Sequence, residues 1–401
     1  MPTSGHAARP EAAAPADPAD TSAPEPSLPP ETEAAEKASP AQEEYVAAVN
    51  ARLEQVLHQK RSEMVKISAE AGPLAESLLA LTSGGKKLRP VLAWIGWRAA
   101  SGDAAHPPQP LIELGVALEL FQAAALVHDD VIDRSSTRRG QPSAHVRFAQ
   151  LHTNRGYAGS APHFGTSGAI LTGDLSLSWA SEAFDGAHES AGSPTAAARG
   201  AFRRMHTEVI TGQYLDVLSE VASAPENEEQ AVKQARNVLR HKAAKYSTEY
   251  PIALGCALAG GSDELLRTLS EAALPLGEAF QLRDDLLGVF GDPKVTGKPV
   301  GDDLREGKRT ELIAYGLHRS SAAEAQRLEA MLGDPELTEH DVAEARDILA
   351  ASGAMTLVED EITRLTDQSA GVARRLPDLG VSPTVAADFD RVARRLTART
   401  S

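Results

Sequence analysis

Residues 118–133 read LELFQAAALVHDDVID, a mostly apolar run that ends in three aspartates, Asp129, Asp130 and Asp133. The apolar part, Leu118 to Val127, is that of a buried helix. The aspartates are out of character with it. Asp129 and Asp133 lie one turn apart on one helix face, where like charges repel, and Asp130 adds a third charge beside them. A multivalent cation would relieve that repulsion, and Arg138-Arg139-Gly140 just downstream adds anion-binding capacity. On this stretch alone, a solvated helix end with a chance acidic run fits equally well.

Outward from this run the chain keeps the same character. Tyr45, Val46, Val49, Leu53, Val56 and Leu57 recur at three- and four-residue spacing, the pattern of an amphipathic helix. Similar stretches follow from Leu74, Leu88, Leu111, Ala169, Ala197, Glu229, Glu264, Glu311, His340, Met355 and Pro383. Pro and Gly punctuate the links 101–110, 155–166, 223–227 and 291–307. Sustained two-residue alternation is missing, so an all-α chain around one core is expected over residues 41–401. Residues 1–40, rich in Ala, Pro, Glu, Ser and Thr, cannot bury enough apolar surface to offset ordering entropy and read as a disordered arm.

The composition narrows the classes. Of 401 residues, 42% are hydrophobic, enough for a large core. The net charge of −16 argues against nucleic acid as a partner. Cys256 is the only cysteine, which excludes an internal disulfide framework, and its apolar surroundings suit a buried structural thiol. No uninterrupted apolar run approaches the ~20 residues of a membrane span. With no basic-then-apolar start either, the expected location is cytoplasmic.

A second acidic cluster, Gln281-Leu282-Arg283-Asp284-Asp285, closes another apolar helix, and Asp292 follows two helical turns later. Two acidic pairs, each ending an apolar helix, suggest helices facing across a cavity. Oxygen ligands without His or Cys favour Mg2+ or Mn2+ over zinc. Mg2+ takes only one or two carboxylates and completes its shell with water and phosphate, so a phosphorylated ligand is implied. The bases agree. Gly84-Gly85-Lys86-Lys87-Leu88-Arg89-Pro90 sets a Lys/Arg cluster at an expected helix start, an anion site by charge and by backbone N–H groups. Together with Arg138, Arg139, Lys242, Lys298 and Lys308 it suggests more anion than one phosphate. The loop lacks the spacing of a P-loop.

Five segments in this order resemble the trans-polyprenyl (isoprenyl) diphosphate synthases, and within them the bacterial geranylgeranyl type: GGKKLRP, HDDVIDRSSTRRGQPSAH, GQYLD, KAAKYSTEYP and QLRDDLLGVFGDPKVTGKPVGDDLREGKRT. The resemblance covers residues 45 to 400. It implies a single large isoprenoid-synthase helical bundle with a central cavity, forming a homodimer. It also implies a set of three Mg2+ ions, replaceable by Mn2+, with isopentenyl diphosphate and an allylic diphosphate (DMAPP, GPP or FPP) as substrates. By the same resemblance, Asp129, Asp130 and Asp133 form the first aspartate motif, with Asp129 and Asp133 as direct metal ligands. Asp284 is the ligand of the second motif, supported by Asp285. Arg138, Lys242 and Lys298 match the grip on the allylic diphosphate, and Lys86, Arg89 and Arg139 the isopentenyl diphosphate site. Gln213 and Gln281 match polar cavity walls.

Three departures stand out. Gln122 replaces a frequent His, Ala243 a Thr, and Gly288 the third aspartate of the second motif. None removes a principal ligand, so an active enzyme is expected. At the positions that set product length in the family, Ala124 and Ala125 leave the gate open. Phe121 lies about 12 Å along the helix from Asp129 at ~1.5 Å per residue. As a floor it favours a C20 product; pointing into the bundle core it would leave depth to other helices. Farnesyl or longer products are the alternatives, and a class I terpene cyclase is a remoter one, because it would lack GGKKLRP and the second motif.

Overall fold

The computed structural model describes residues 38–102, 106–192, 196–291 and 301–397. Asp292, Lys298 and the arm up to residue 37 fall outside the described residues. The helices are α1 (Pro40–Ile67), α2 (Gly72–Thr82), α3 (Leu88–Ser101), α4 (Gln109–Ile132), α5 (Ala144–Arg155), α6 (Ala161–Ser190), α7 (Ala196–Val221) and α8 (Glu228–Leu239). They continue with α9 (Tyr250–Leu258), α10 (Asp263–Phe290), α11 (Asp302–Glu306), α12 (Glu311–Arg319), α13 (Ala322–Met331), α14 (Glu339–Ala351), α15 (Ala354–Ala373) and α16 (Pro383–Thr397). Two antiparallel two-residue strands, Thr137–Arg138 and Gln141–Pro142, are the whole of the described sheet. The all-α expectation holds.

Local chemistry sets the ends. Ser39, Ser160, Asn227, Ser262 and Thr310 each accept a backbone N–H at a helix start. The expected link 155–166 is shorter than its composition implied, because Ser160 caps and Pro162 opens α6, a favoured first-turn position for proline. Helix α13 was not anticipated, although its capping box, Ser321 with Glu324, is legible in sequence.

Helix α4 is long and apolar enough to cross a membrane by length and composition, although Glu113 and Glu119 interrupt its apolar run. Two thirds of its most apolar window is buried inside the bundle, which identifies it as the core helix. Its inner face joins the main apolar cluster through Leu114, Leu118, Phe121 and Val127. A second cluster gathers α10, α12, α14 and α15 around Leu286, Leu312, Leu349 and Val358.

The segment 229–258, expected as one helix, is continuous but contains ten residues of π-helix, Arg240–Glu249, between α8 and α9. Wide turns of this kind are rare and concentrate at functional sites. Four residues of the stretch, Lys242, Ala243, Tyr246 and Ser247, line the central cavity. Gly212 on α7 makes the close approach possible, since a Cβ there would lie 2.3 Å from the Lys242 backbone nitrogen.

Candidate active site

Between α4, α7, the π-helix and α10 lies a cavity of about 960 Å³, within the range of small-molecule sites. Asp129 from α4 and Asp284 and Asp285 from α10 line it, as do Lys86, Arg89, Gln122, Ala125, Arg138, Arg139, Gln213, Lys242 and Gln281. Four of the residues singled out in sequence sit behind this lining: Asp130, Asp133, Phe121 and Ala124.

The carboxylates are held apart by bases. Lys242 donates to Asp216 and stands 3.3 Å from Asp129 Oδ1. That contact lacks hydrogen-bond geometry, so this buried oxygen has no hydrogen-bonding partner. Arg138 Nε donates to Asp130 Oδ1 at 2.8 Å, and its guanidinium lies 3.7 Å from Asp129. Lys308 joins Asp133 to the acidic residues of α11. It lies 3.7 Å from Asp133 and 3.4 Å from Asp303, and it pairs with Glu306.

The charges respond to this arrangement. Burial pushes the Asp129 carboxyl up, but Lys242, Lys308 and Arg138 outweigh it and hold it below the usual range. Asp133 goes the other way. Burial, with the like charge of Asp129, raises it to about 7. Asp285 is raised to about 8 by burial and by Asp303. Lys242 is desolvated, yet its acidic neighbours Asp129 and Asp216 keep it firmly protonated. Lys308 is likewise held protonated against burial, by Asp303 first.

Opposite this acidic end is a basic rim. Gly85 adopts φ +95° and leaves room for the Arg139 guanidinium, which donates to the Leu81 carbonyl at 3.0 Å. Arg89 lies 4.2 Å over the Tyr246 ring and donates to Ser247 Oγ at 2.7 Å. The adjacent lysines diverge. Both reach the cavity lining, but Lys87 is buried on Glu119 at 2.8 Å and on the Thr82 carbonyl.

The departures have physical accounts. A Cβ at Gly288 would lie 1.8 Å from Asp303 Oδ2, so the Asp303 carboxylate already fills the space of the absent third aspartate. Gln122 Oε1 accepts the Tyr246 hydroxyl at 2.9 Å, so the Gln holds the cavity wall. Asp216 and Asp303 lie in the quoted segments without a role of their own, and Glu306 likewise. Asp216 was findable, since it lies three residues beyond Gln213 and so on the same face of α7.

The residues fit a hard divalent cation. The donors are all oxygen, one oxygen of Asp129 is buried without a hydrogen bond, and Asp133 and Asp285 are costly to ionise without added positive charge. Among the described residues no three such side chains converge on one point.

The chain belongs to the polyprenyl synthetase family, whose model matches residues 73–349. It is 32% identical to the geranylfarnesyl diphosphate synthase of Aeropyrum pernix over 75% of this chain and 86% of that one. It is 31% identical to the geranylgeranyl diphosphate synthase of Saccharolobus solfataricus over 67% and 73%. The geranylgeranyl pyrophosphate synthase of Corynebacterium glutamicum, solved with isoprenyl diphosphate and magnesium, superposes with a TM-score of 0.81. The two are 37% identical, with 89% of this chain and 99% of that chain covered. The protein is thus a prenyltransferase of the isoprenyl diphosphate synthase type, whose family uses divalent metal to bind diphosphate.

Proposed function

We propose that this enzyme condenses isopentenyl diphosphate with an allylic diphosphate in a Mg2+-dependent reaction, with geranylgeranyl diphosphate (C20) as product. The observation that carries the proposal is the polarity of one cavity. Asp129, Asp284 and Lys242 mark its charged end, and Ala125, Leu126, Val209, Leu239 and Phe280 give it apolar walls. Arg138 and Lys242 hold the allylic diphosphate beside Asp129 and Asp284, with Lys298 as a third base by the resemblance. Lys86, Arg89 and Arg139 hold the second diphosphate at the rim.

Asp129, Asp133 and Asp284 would hold Mg2+, which would neutralise charge on the departing diphosphate. The allylic C–O bond breaks with its electron pair on that oxygen. The isopentenyl double bond then forms the new C–C bond, and a proton leaves to the released diphosphate. Water is excluded by the apolar walls, and no protein nucleophile takes part.

A homodimer completes the proposal. Ile210, Tyr214, Leu218 and Val221 form an exposed apolar stripe along α7, Val221 being 80% exposed. A stripe of that kind marks an interface, and self-association is the partner the family resemblance supplies. Labelled isopentenyl diphosphate incubated with each allylic primer, with and without Mg2+, tests the reaction; no elongation with any primer refutes it. Light scattering of the double variant Tyr214→Glu/Leu218→Glu tests the dimer, which should dissociate.

A further inference from the structure

Beyond the cavity lining, aromatic rings of α4, α6 and α7 pack on one another. We propose that His206 of α7, paired with Phe121 of α4, is the stop that fixes product length, so that the ruler spans two helices rather than one. The inference rests on the elongation reading above.

Register leads to it. Ala125 and Val209 line the cavity on α4 and α7. One turn further from the acidic end on each helix come Phe121 and His206, neither of which lines it. Their rings meet edge to face, 4.6 Å between centroids and 82° between planes, and so bridge the two helices directly beneath Ala125 and Val209. Tyr246 braces Phe121 at 5.9 Å. Behind His206 stands Phe202 at 4.5 Å, itself stacked at 4.0 Å on Phe184 of α6. A chain growing past the small Ala125 therefore meets Phe121 and His206 first, and the Phe202–Phe184 pair next.

The choice of histidine points to more than packing. Its Nδ1–H donates to the Phe202 carbonyl at 2.9 Å, which fixes the ring. Its Nε2 is buried with no partner, a penalty that a leucine in the same place would avoid. Burial lowers the His206 pKa, so the ring is neutral and compatible with a hydrocarbon neighbour. One helical turn is about 5.4 Å, close to the reach of one five-carbon unit, so removing either ring should admit one more unit.

The test is product length after elongation with labelled isopentenyl diphosphate, for the wild type, His206→Ala, Phe121→Ala, the double variant and His206→Trp. Thermal melts establish that each is folded. His206→Ala is expected to move the main product up by one five-carbon unit, the double variant further, and His206→Trp down. If the alanine variant fails to fold, the tryptophan variant decides. Elongation with the wild-type product length from folded His206→Ala and His206→Trp overturns the inference alone. A wild type that elongates nothing overturns the reaction and the inference together.

Discussion

Loading the cavity should expel protons. Asp133 at about 7 and Asp285 at about 8 hold protons at neutral pH because burial and like charges oppose their ionisation. Both carboxyls therefore carry protons near neutral pH, Asp285 the more, and a ligand that requires both ionised releases protons on binding. Both folded-state values lie above the unfolded carboxylate value. Each group therefore contributes stability fully at acid pH, and that contribution falls as pH rises from about 4 toward the folded value. Ligand affinity shifts the opposite way, strengthening by up to about 1.4 kcal/mol per pH unit for each proton displaced. Calorimetric titration with Mg2+ and an allylic diphosphate, in buffers of different ionisation enthalpy, measures the release. Asp285→Asn should remove most of the protein's share and so separate it from protons lost by the diphosphate itself. The reasoning fails if wild type and Asp285→Asn release the same number at pH 7, or if the difference between them persists at pH 10.

Further outcomes follow from the same geometry. Lys242→Met leaves Asp129 and Asp216 without their shared cation. It should cost about 3–5 kcal/mol in denaturant unfolding and about 10²–10³ in kcat; wild-type values for both would dismiss the pairing. Gly212→Leu forces a side chain into the Lys242 backbone, and a lowered melting temperature with loss of diphosphate binding is expected. Gly288→Asp restores the family motif in sequence yet collides with Asp303, so it should lose activity rather than gain it. Adding Asp303→Gly should recover part of that loss, with a coupling of about 0.5–3 kcal/mol in a double-mutant cycle.

The helical class, the long apolar helix and both acidic ends could be read from the chain, because helix periodicity and like-charge spacing are local properties. So could the bases: Lys86, Arg89, Arg138, Arg139 and Lys242 all reach the cavity lining. The sequence did not reveal which of two neighbouring residues would point inward. Lys86 and Lys87 look alike in sequence, but Lys87 pairs with Glu119 inside the bundle. Likewise Asp129 lines the cavity while Asp130 turns to Arg138.

The opening stretch determined by itself that an apolar helix ends in a cluster of like charges. Tertiary structure decided what meets that cluster. Lys308, 175 residues beyond Asp133 in sequence, closes on it, and Asp303 fills the space above Gly288. His206 comes from a helix that the α4 pattern cannot foresee, to meet Phe121. Periodicity fixes the face on which a side chain lies. The depth of a cavity and the ionisation of its carboxyls depend on distances between helices, and only the packed bundle sets those.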